Sequence, residues 1–149
     1  MLHANVDRDQ LLATLTPLCQ GIDRDILQDF VTRMDPDYFS AFSPNTLAAH
    51  ITQAATLTPD HPCDVSIEET AGGHFLITIV AYDYFSEFAT ICGLLSAFGL
   101  NIEEGRIFTS AESEQPNRNR SADPYPIRTR PQGRPGLTRK KIVDVFTVS

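Results

Sequence analysis

A turn that leads into an apolar helix holds the residues best placed to bind a ligand. The turn covers Tyr82–Phe88, and the helix that follows presents unpaired backbone N–H groups and the positive end of its dipole, which favour a carboxylate. Asp83 has two roles open to it: its carboxylate can bind a ligand ammonium group, or it can cap the helix. The expected chemistry is therefore binding of a small charged molecule.

The acidic pairs and the His/Cys pair of this chain lack the spacing that catalysis or metal binding needs. Glu68–Glu69 and Glu103–Glu104 are adjacent on predicted strands, so the two carboxylates of each pair point to opposite faces. His61 and Cys63 make half of a zinc site, and no second pair of ligands follows at a suitable distance. No phosphate-binding glycine loop is present. We predict that this chain alone is not an enzyme and holds no metal or cofactor, with a small enzyme as an alternative.

Strands on either side of the helix should position this turn. The run His74–Ala81 is rich in β-branched and aromatic residues, and Gly99 is suited to the left-handed conformation just after the helix. A second strand follows at once, and Ala71–Gly73 predicts a hairpin turn before the first. The turn is therefore expected inside a strand–helix–strand unit that a hairpin precedes.

Three helices are predicted before the sheet. Leucines at helical spacing predict a first helix over Asp7–Leu18, and Asp23 is a suitable N-cap for a second that ends near Met34. These two could form a helical hairpin. Ser43 before Pro44 is a strong helix start, and this third helix should run to about Leu57. We predict an N-terminal helical segment over 1–43 and a second domain over 44–149.

A basic insertion separates the last two strands of the chain. Residues 111–141 hold eight basic and three acidic side chains and five prolines. Such a composition buries too little apolar surface to offset the cost of ordering, so we predict that 111–140 is disordered. Two interpretations remain open: a solvated loop attracted to the acidic body, or a docking segment for an acidic partner or nucleic acid.

Composition limits the partners and the location of the protein. Residues 1–110 carry four basic and fifteen acidic side chains, which disfavours general nucleic-acid binding because phosphates are repelled. No run of about eighteen apolar residues and no secretory signal is present, so no membrane partner is expected. Three widely spaced cysteines are typical of reduced thiols, which predicts a cytoplasmic protein.

Several phrases of the chain resemble the ACT domain, a small regulatory module. Asp83–Phe88 is similar to the turn Asp-x-Pro-Gly-x-Leu, although Phe85-Ser86 replaces Pro-Gly. Gly99–Ile102 is similar to the step Gly-x-Asn-Ile, and Asp144–Phe146 to a late Asp-Val-Phe strand. Two further phrases, Asp37–His50 and Arg106–Thr109, resemble the ACT region of the bifunctional PII uridylyltransferases. The similarity covers roughly residues 35–109 and 142–148.

The resemblance implies an α+β, ferredoxin-like fold with four antiparallel strands and helices on one face. An ACT domain runs βαββαβ, and here the second helix and fourth strand do not follow the others. The Pro44–Leu57 helix and the Asp64–Thr70 strand could replace them, which gives the circularly permuted order αββαββ. The resemblance then implies an antiparallel sheet with its strands in the spatial order 64–70, 74–81, 142–148 and 101–110. The alternative is that this chain is the front piece of a longer protein, and both accounts are compatible.

The resemblance also implies a function. The chain would be the non-catalytic regulatory domain of a nitrogen-control nucleotidyltransferase, of the PII uridylyltransferase or glutamine synthetase adenylyltransferase type. It would bind an amino acid such as glutamine and act through its own further domains, a PII-type protein or a homo-oligomer. An interaction adaptor that docks a partner through 111–141 is the alternative. The implied ligand-binding residues are Asp83, Tyr84, Phe85, Ser86, Asn101 and Ile102.

Overall fold

The computed structural model describes residues 6–83, 87–111 and 139–149, which form five helices and four strands. The predicted ligand residues Tyr84, Phe85 and Ser86 lie outside these ranges. So does most of 111–140, the segment that we expect to be disordered. The elements in chain order are α1 (Arg8–Leu15), α2 (Arg24–Arg33), α3 (Pro36–Ala41), α4 (Pro44–Thr56), β1 (Cys63–Thr70), β2 (His74–Tyr82), α5 (Glu87–Ala97), β3 (Ile102–Thr109) and β4 (Lys141–Val148).

Side-chain caps fix where the first four helices begin. Asp7, Asp23, Asp35 and Ser43 each accept a hydrogen bond from a backbone N–H group in the first turn of the helix that follows. The predicted starts of α2 and α4 are confirmed. The short helix Pro36–Ala41 lies in a stretch that the sequence analysis did not assign to any element, and it begins with the same cap-then-proline signal as α4.

The four strands form one antiparallel sheet in the order β1–β2–β4–β3, as the sequence predicts. The hairpin between β1 and β2 turns over residues 71–73. Gly72 and Gly73 both have positive φ angles, of 81° and 78°, a conformation that costs little energy only for glycine. Gly99, after α5, also has a positive φ of 78°, which confirms its predicted role as the residue that ends the helix.

Helices cover both faces of the sheet, so the prediction that they lie on one face is wrong. Val80 and Val143 belong to a core with the N-terminal helices α1–α4, whereas their neighbours Ile79 and Ile142 belong to a second core with α5. Consecutive strand residues point to opposite faces. The central strands carry apolar, buried residues on both faces and therefore need cover on both sides. It follows that α4 does not take the place beside α5 that a permuted ferredoxin-like fold requires.

The N-terminal helices share one core with the sheet. Leu15 of α1, Val31 of α2 and Ile51 of α4 are completely buried, and they belong to the same cluster as Val80 and Val143. Residues 8–41 therefore pack as part of the same hydrophobic core as the strands. Within the described residues, no helix combines the length and the apolar character that crossing a membrane requires.

Hydrogen bonds fix both ends of the long connection between β3 and β4. The backbone N–H of Ser110 donates to the carbonyl of Lys141 at 2.9 Å, and the N–H of Lys141 donates to Ser110 Oγ at 2.8 Å. The N–H of Ala111 donates to the carbonyl of Arg33, and Arg33 Nε donates to the carbonyl of Ala111, both at 2.8 Å. The segment 112–138 therefore leaves from a point that is attached to α2.

Candidate functional site

The two described ends of the predicted ligand site lie far apart in one chain. Asp83 is exposed, and its backbone N–H donates to the carbonyl of Lys140, just before β4. Asn101 exchanges two backbone hydrogen bonds with Ser149, just after β4. Nine residues of extended chain separate Lys140 from Ser149, which corresponds to about 30 Å. A single chain therefore does not bring Asp83 and Asn101 to the same small ligand.

The other predicted ligand residue that the structure describes, Ile102, has a packing role. Ile102 is half-buried and contacts the core beneath α5. The side-chain amide of Asn101 donates to Ser149 Oγ over a long 3.5 Å, so it is weakly held and accessible. Among the three predicted ligand residues that the structure describes, Asp83 and Asn101 are therefore the exposed polar ones.

A polar groove lies on the opposite face of the sheet from α5, between α4 and the strands. Its volume is about 380 Å³, a size typical of sites for small ligands. A smaller space of about 210 Å³ adjoins it and shares Phe42, Leu76 and Val145 with it. The residues that give the groove its chemical character are His50, Ser66, Glu68 and Thr78. We refer to the larger space as the α4 groove.

His50 is a buried polar residue that lines the α4 groove. Its exposed fraction is 4%, and its Nδ1 lies 2.9 Å from the hydroxyl oxygen of Tyr38. Burial lowers the pKa of His50 from 6.5 to about 4, since an apolar environment disfavours the charged ring. His50 is therefore neutral at pH 7.

The contact with Tyr38 determines which ring nitrogen of His50 carries the proton. Tyr38 is completely buried, and His50 Nδ1 is the hydrogen-bond partner that the described residues offer to its hydroxyl group. A buried O–H group needs an acceptor, so Tyr38 donates to Nδ1 and the proton of the neutral ring is on Nε2. Nε2–H has no acceptor among the described residues, which makes it a donor available to the groove.

The floor of the α4 groove consists of strand residues in register. Ser66 of β1 is paired with Thr78 of β2, and Glu68 is paired with Leu76. Glu68 is exposed and makes no ion pair within the described ranges. The groove thus offers one carboxylate, three hydroxyl groups (with that of Thr46), the side-chain amides of Asn45 and Gln53, a histidine donor and an apolar wall.

A second surface is unusual because it is apolar and exposed. The described residues include eight large apolar side chains that are exposed, and seven of them lie on α5, directly after it, or on the sheet face beneath it. Ile67 is 65% exposed and Phe98 is 81% exposed. We call this set the α5-side surface; its members are Val65, Ile67, Phe75, Phe88, Leu94, Phe98 and Ile107.

The described residues offer no grouping for a metal ion. No three His, Cys, Asp or Glu side chains of the ranges 6–83, 87–111 and 139–149 lie close enough to hold one. His61 and Cys63, the pair that the sequence singles out, therefore have no third ligand within these ranges. Three free cysteines are present in this part of the chain, and Cys19 is buried.

No family model matches the chain. The resemblance to ACT domains therefore depends on the phrases Asp83–Phe88, Gly99–Ile102 and Asp144–Phe146. The α4 groove was missed at the sequence level because its residues come from α4, from Phe42 before it and from three strands. One signal was present: the alternation along Asp64–Thr70 places Ser66 and Glu68 on the same face of β1.

Proposed function

We propose that this chain is a non-catalytic, ACT-like regulatory domain that acts by pairing with a second copy of itself. The observation that carries the proposal is the α5-side surface. Exposed apolar patches of this extent mark interaction sites in soluble proteins. In a larger nitrogen-control nucleotidyltransferase, such pairing would transmit a signal to the attached domains.

The position of the α5-side surface supports a second copy as its occupant. A ferredoxin-like sheet carries two helices on one face, and here α5 is the single described helix on its face. On this face, Val65 and Ile67 of β1 are exposed. A two-fold pair brings the same patch of both copies together, so this strand region and the exposed residues of α5 can cover each other.

A two-fold pair also offers a geometry for the proposed amino-acid site. Asp83 and Asn101 lie at opposite ends of β4 within one chain. When two copies pair with their β4 strands antiparallel, Asp83 of one copy and Asn101 of the other lie at the same end of the two strands. We therefore propose that glutamine, or another amino acid, binds between two copies, with its ammonium group at Asp83 and Asn101 as donor and acceptor.

Two aspartate substitutions should prevent self-association. Ile67→Asp and Phe98→Asp each place a charge in the proposed interface, where burying an unpaired charge is strongly unfavourable. We expect the unmodified chain to sediment as a dimer at micromolar concentration and both variants to sediment as monomers. Leu18→Asp is the matched control, because Leu18 is 43% exposed and lies outside the α5-side surface. Equal sedimentation of all four proteins would refute the proposed interface.

Glutamine should raise the unfolding temperature of the dimer. A ligand that binds only the folded state stabilises it by roughly 2.7 kcal/mol at a hundredfold excess over its dissociation constant. We expect this stabilisation to be lost in Asn101→Ala and in the monomeric Phe98→Asp variant, and to be retained in Leu18→Asp. Thermal unfolding with a panel of amino acids measures it. If no amino acid at 10 mM changes the midpoint by roughly one degree, the sensor role is excluded and the association role remains.

A further inference from the structure

The α4 groove has the properties of a ligand site that is separate from the α5-side surface. The two lie on opposite faces of the sheet, since Thr78 and Val145 contact the groove whereas Ile79 and Phe146 belong to the core beneath α5. A ligand in the groove would contact α4 and the strands directly. Its binding therefore does not require a second copy of the chain.

The His50 ring, whose Nε2–H is a donor in the groove, is held in a fixed orientation. Tyr38 fixes both the orientation and the tautomer of His50 through the 2.9 Å hydrogen bond. His50 is more than nine-tenths buried and lines the groove, while Nε2–H has no acceptor among the described residues. The ring itself is held in place by burial, and this N–H faces the groove, where it can donate to an oxygen acceptor of a ligand.

The charges of the groove select against anions. Glu68 supplies a carboxylate that no described cation pairs with. Arg106, in the adjoining space, is already engaged by Glu104 at 2.9 Å. The part of the chain before residue 111 has a net charge of −11, from four basic and fifteen acidic side chains, and a field of this sign attracts cations.

The remaining contacts set the size and polarity of the ligand. Leu76, Val145 and the ring of Phe42 give the groove its apolar surface. Leu76 is the cross-strand partner of Glu68, and Ser66 and Thr78 form the next pair on the same face. A volume of about 380 Å³ accommodates a molecule with a short apolar side chain. Apolar residues directly beside the carboxylate and the hydroxyl groups favour a small amphipathic ligand.

We propose that the α4 groove binds a small cationic amine that also carries an oxygen acceptor and a short apolar group. In this arrangement the ammonium group of the ligand contacts Glu68. Its oxygen accepts from His50 Nε2–H, and its apolar part packs against Leu76 and Val145. An amino-acid amide has all three features, whereas an N-acetyl amino acid lacks the cation and adds a negative charge.

The test uses leucinamide as the probe and N-acetylleucine as the matched anion. Each is titrated to 10 mM into the 149-residue chain, and the backbone and histidine-ring resonances are followed by NMR. We expect leucinamide to shift the resonances of Ser66, Thr78 and the His50 ring in a saturable manner. N-acetylleucine should leave these resonances unchanged.

Two neighbouring substitutions on β1 provide the control. Glu68→Gln should weaken leucinamide binding at least tenfold. Glu69→Gln removes the same charge from the next residue, which points to the other face of the sheet, and should leave the affinity unchanged. The proposal is overturned if leucinamide does not shift these resonances, if N-acetylleucine binds equally well, or if the two substitutions have the same effect.

The monomeric variant Phe98→Asp separates this site from the proposed amino-acid site between two copies. Leucinamide should bind that variant as well as it binds the unmodified chain. Loss of leucinamide binding in Phe98→Asp, with an intact fold by NMR, would show that the amine binds at the pairing surface and would overturn the assignment to the groove.

Discussion

Replacement of Tyr38 by alanine is expected to lower the free energy of unfolding by about 3–5 kcal/mol, the usual range for loss of a large buried aromatic side chain. Tyr38 is completely buried, and its ring centroid lies 5.2–5.9 Å from those of five other rings. These rings belong to Phe30, Phe39, Phe42, His50 and Phe108. The cavity left by the substitution would therefore lie where α2, α3, α4 and β3 meet.

Tyr38→Phe is the control that separates packing from hydrogen bonding. It keeps the ring but leaves His50 Nδ1 without its donor, which should cost about 1–3 kcal/mol. Urea denaturation at pH 7, followed by circular dichroism, gives both values. A loss for Tyr38→Ala no larger than that for Tyr38→Phe would show that the ring cluster contributes little to stability.

Acidification from pH 7 to pH 5 is expected to reduce stability by about 2 kcal/mol through His50 alone. Burial lowers the pKa of His50 to about 4 in the folded chain, whereas an unfolded histidine has a pKa near 6.5. Below pH 6.5 the unfolded state therefore binds a proton that the folded state does not bind. The stabilisation is complete above pH 6.5 and is lost as the pH falls toward 4.

The contribution of His50 is isolated by comparing two histidine variants. His50→Gln removes the proton-linked change. Between pH 7 and pH 5 this variant should therefore lose about 2 kcal/mol less stability than the unmodified chain. His61→Gln changes an exposed histidine and should keep the full dependence. Urea midpoints at the two pH values measure the difference. Parallel pH profiles for all three proteins would contradict an environment that keeps His50 neutral.

Local signals in the sequence predicted much of the fold. Caps such as Asp23 and Ser43 identify helix starts, and the glycines at 72, 73 and 99 identify a turn and a helix end, because these signals depend on neighbouring backbone groups. The pairing of β1 with β2 was predicted in the same way, from the tight hairpin that joins them. Short-range stereochemistry determines these features, whereas the predicted position of β4 between β2 and β3 came from the ferredoxin-like pattern that the resemblance implies.

The face on which α4 lies could not be derived from its own sequence. The apolar stripe of α4, which includes Leu47 and Ile51, fits either face of a sheet. The choice depends on a core assembled with α1 and α2, residues that are distant in sequence. The stronger signal was in the strands: His74–Tyr82 is apolar at nearly every position, which is typical of a strand that is covered on both faces.

The candidate sites show the same limit. The sequence drew attention to Asp83 and Asn101, because each stands in a recognisable phrase, but the distance between them depends on the pairing of both with the ends of β4. The residues of the α4 groove do not form a recognisable sequence motif. His50 became relevant only when the structure placed it against Tyr38 and in the same groove as Glu68.

Because the β3–β4 connection is attached to α2, this position is suitable for inserting a foreign sequence. The two ends of the connection are held by hydrogen bonds that do not involve the segment 112–138. These bonds join Ser110 with Lys141 and Ala111 with Arg33. Once the ends of a loop are held, each doubling of its length costs only about 0.6 kcal/mol. The sheet can therefore accept replacement of that segment by a sequence of very different length, such as a fluorescent protein or an affinity tag.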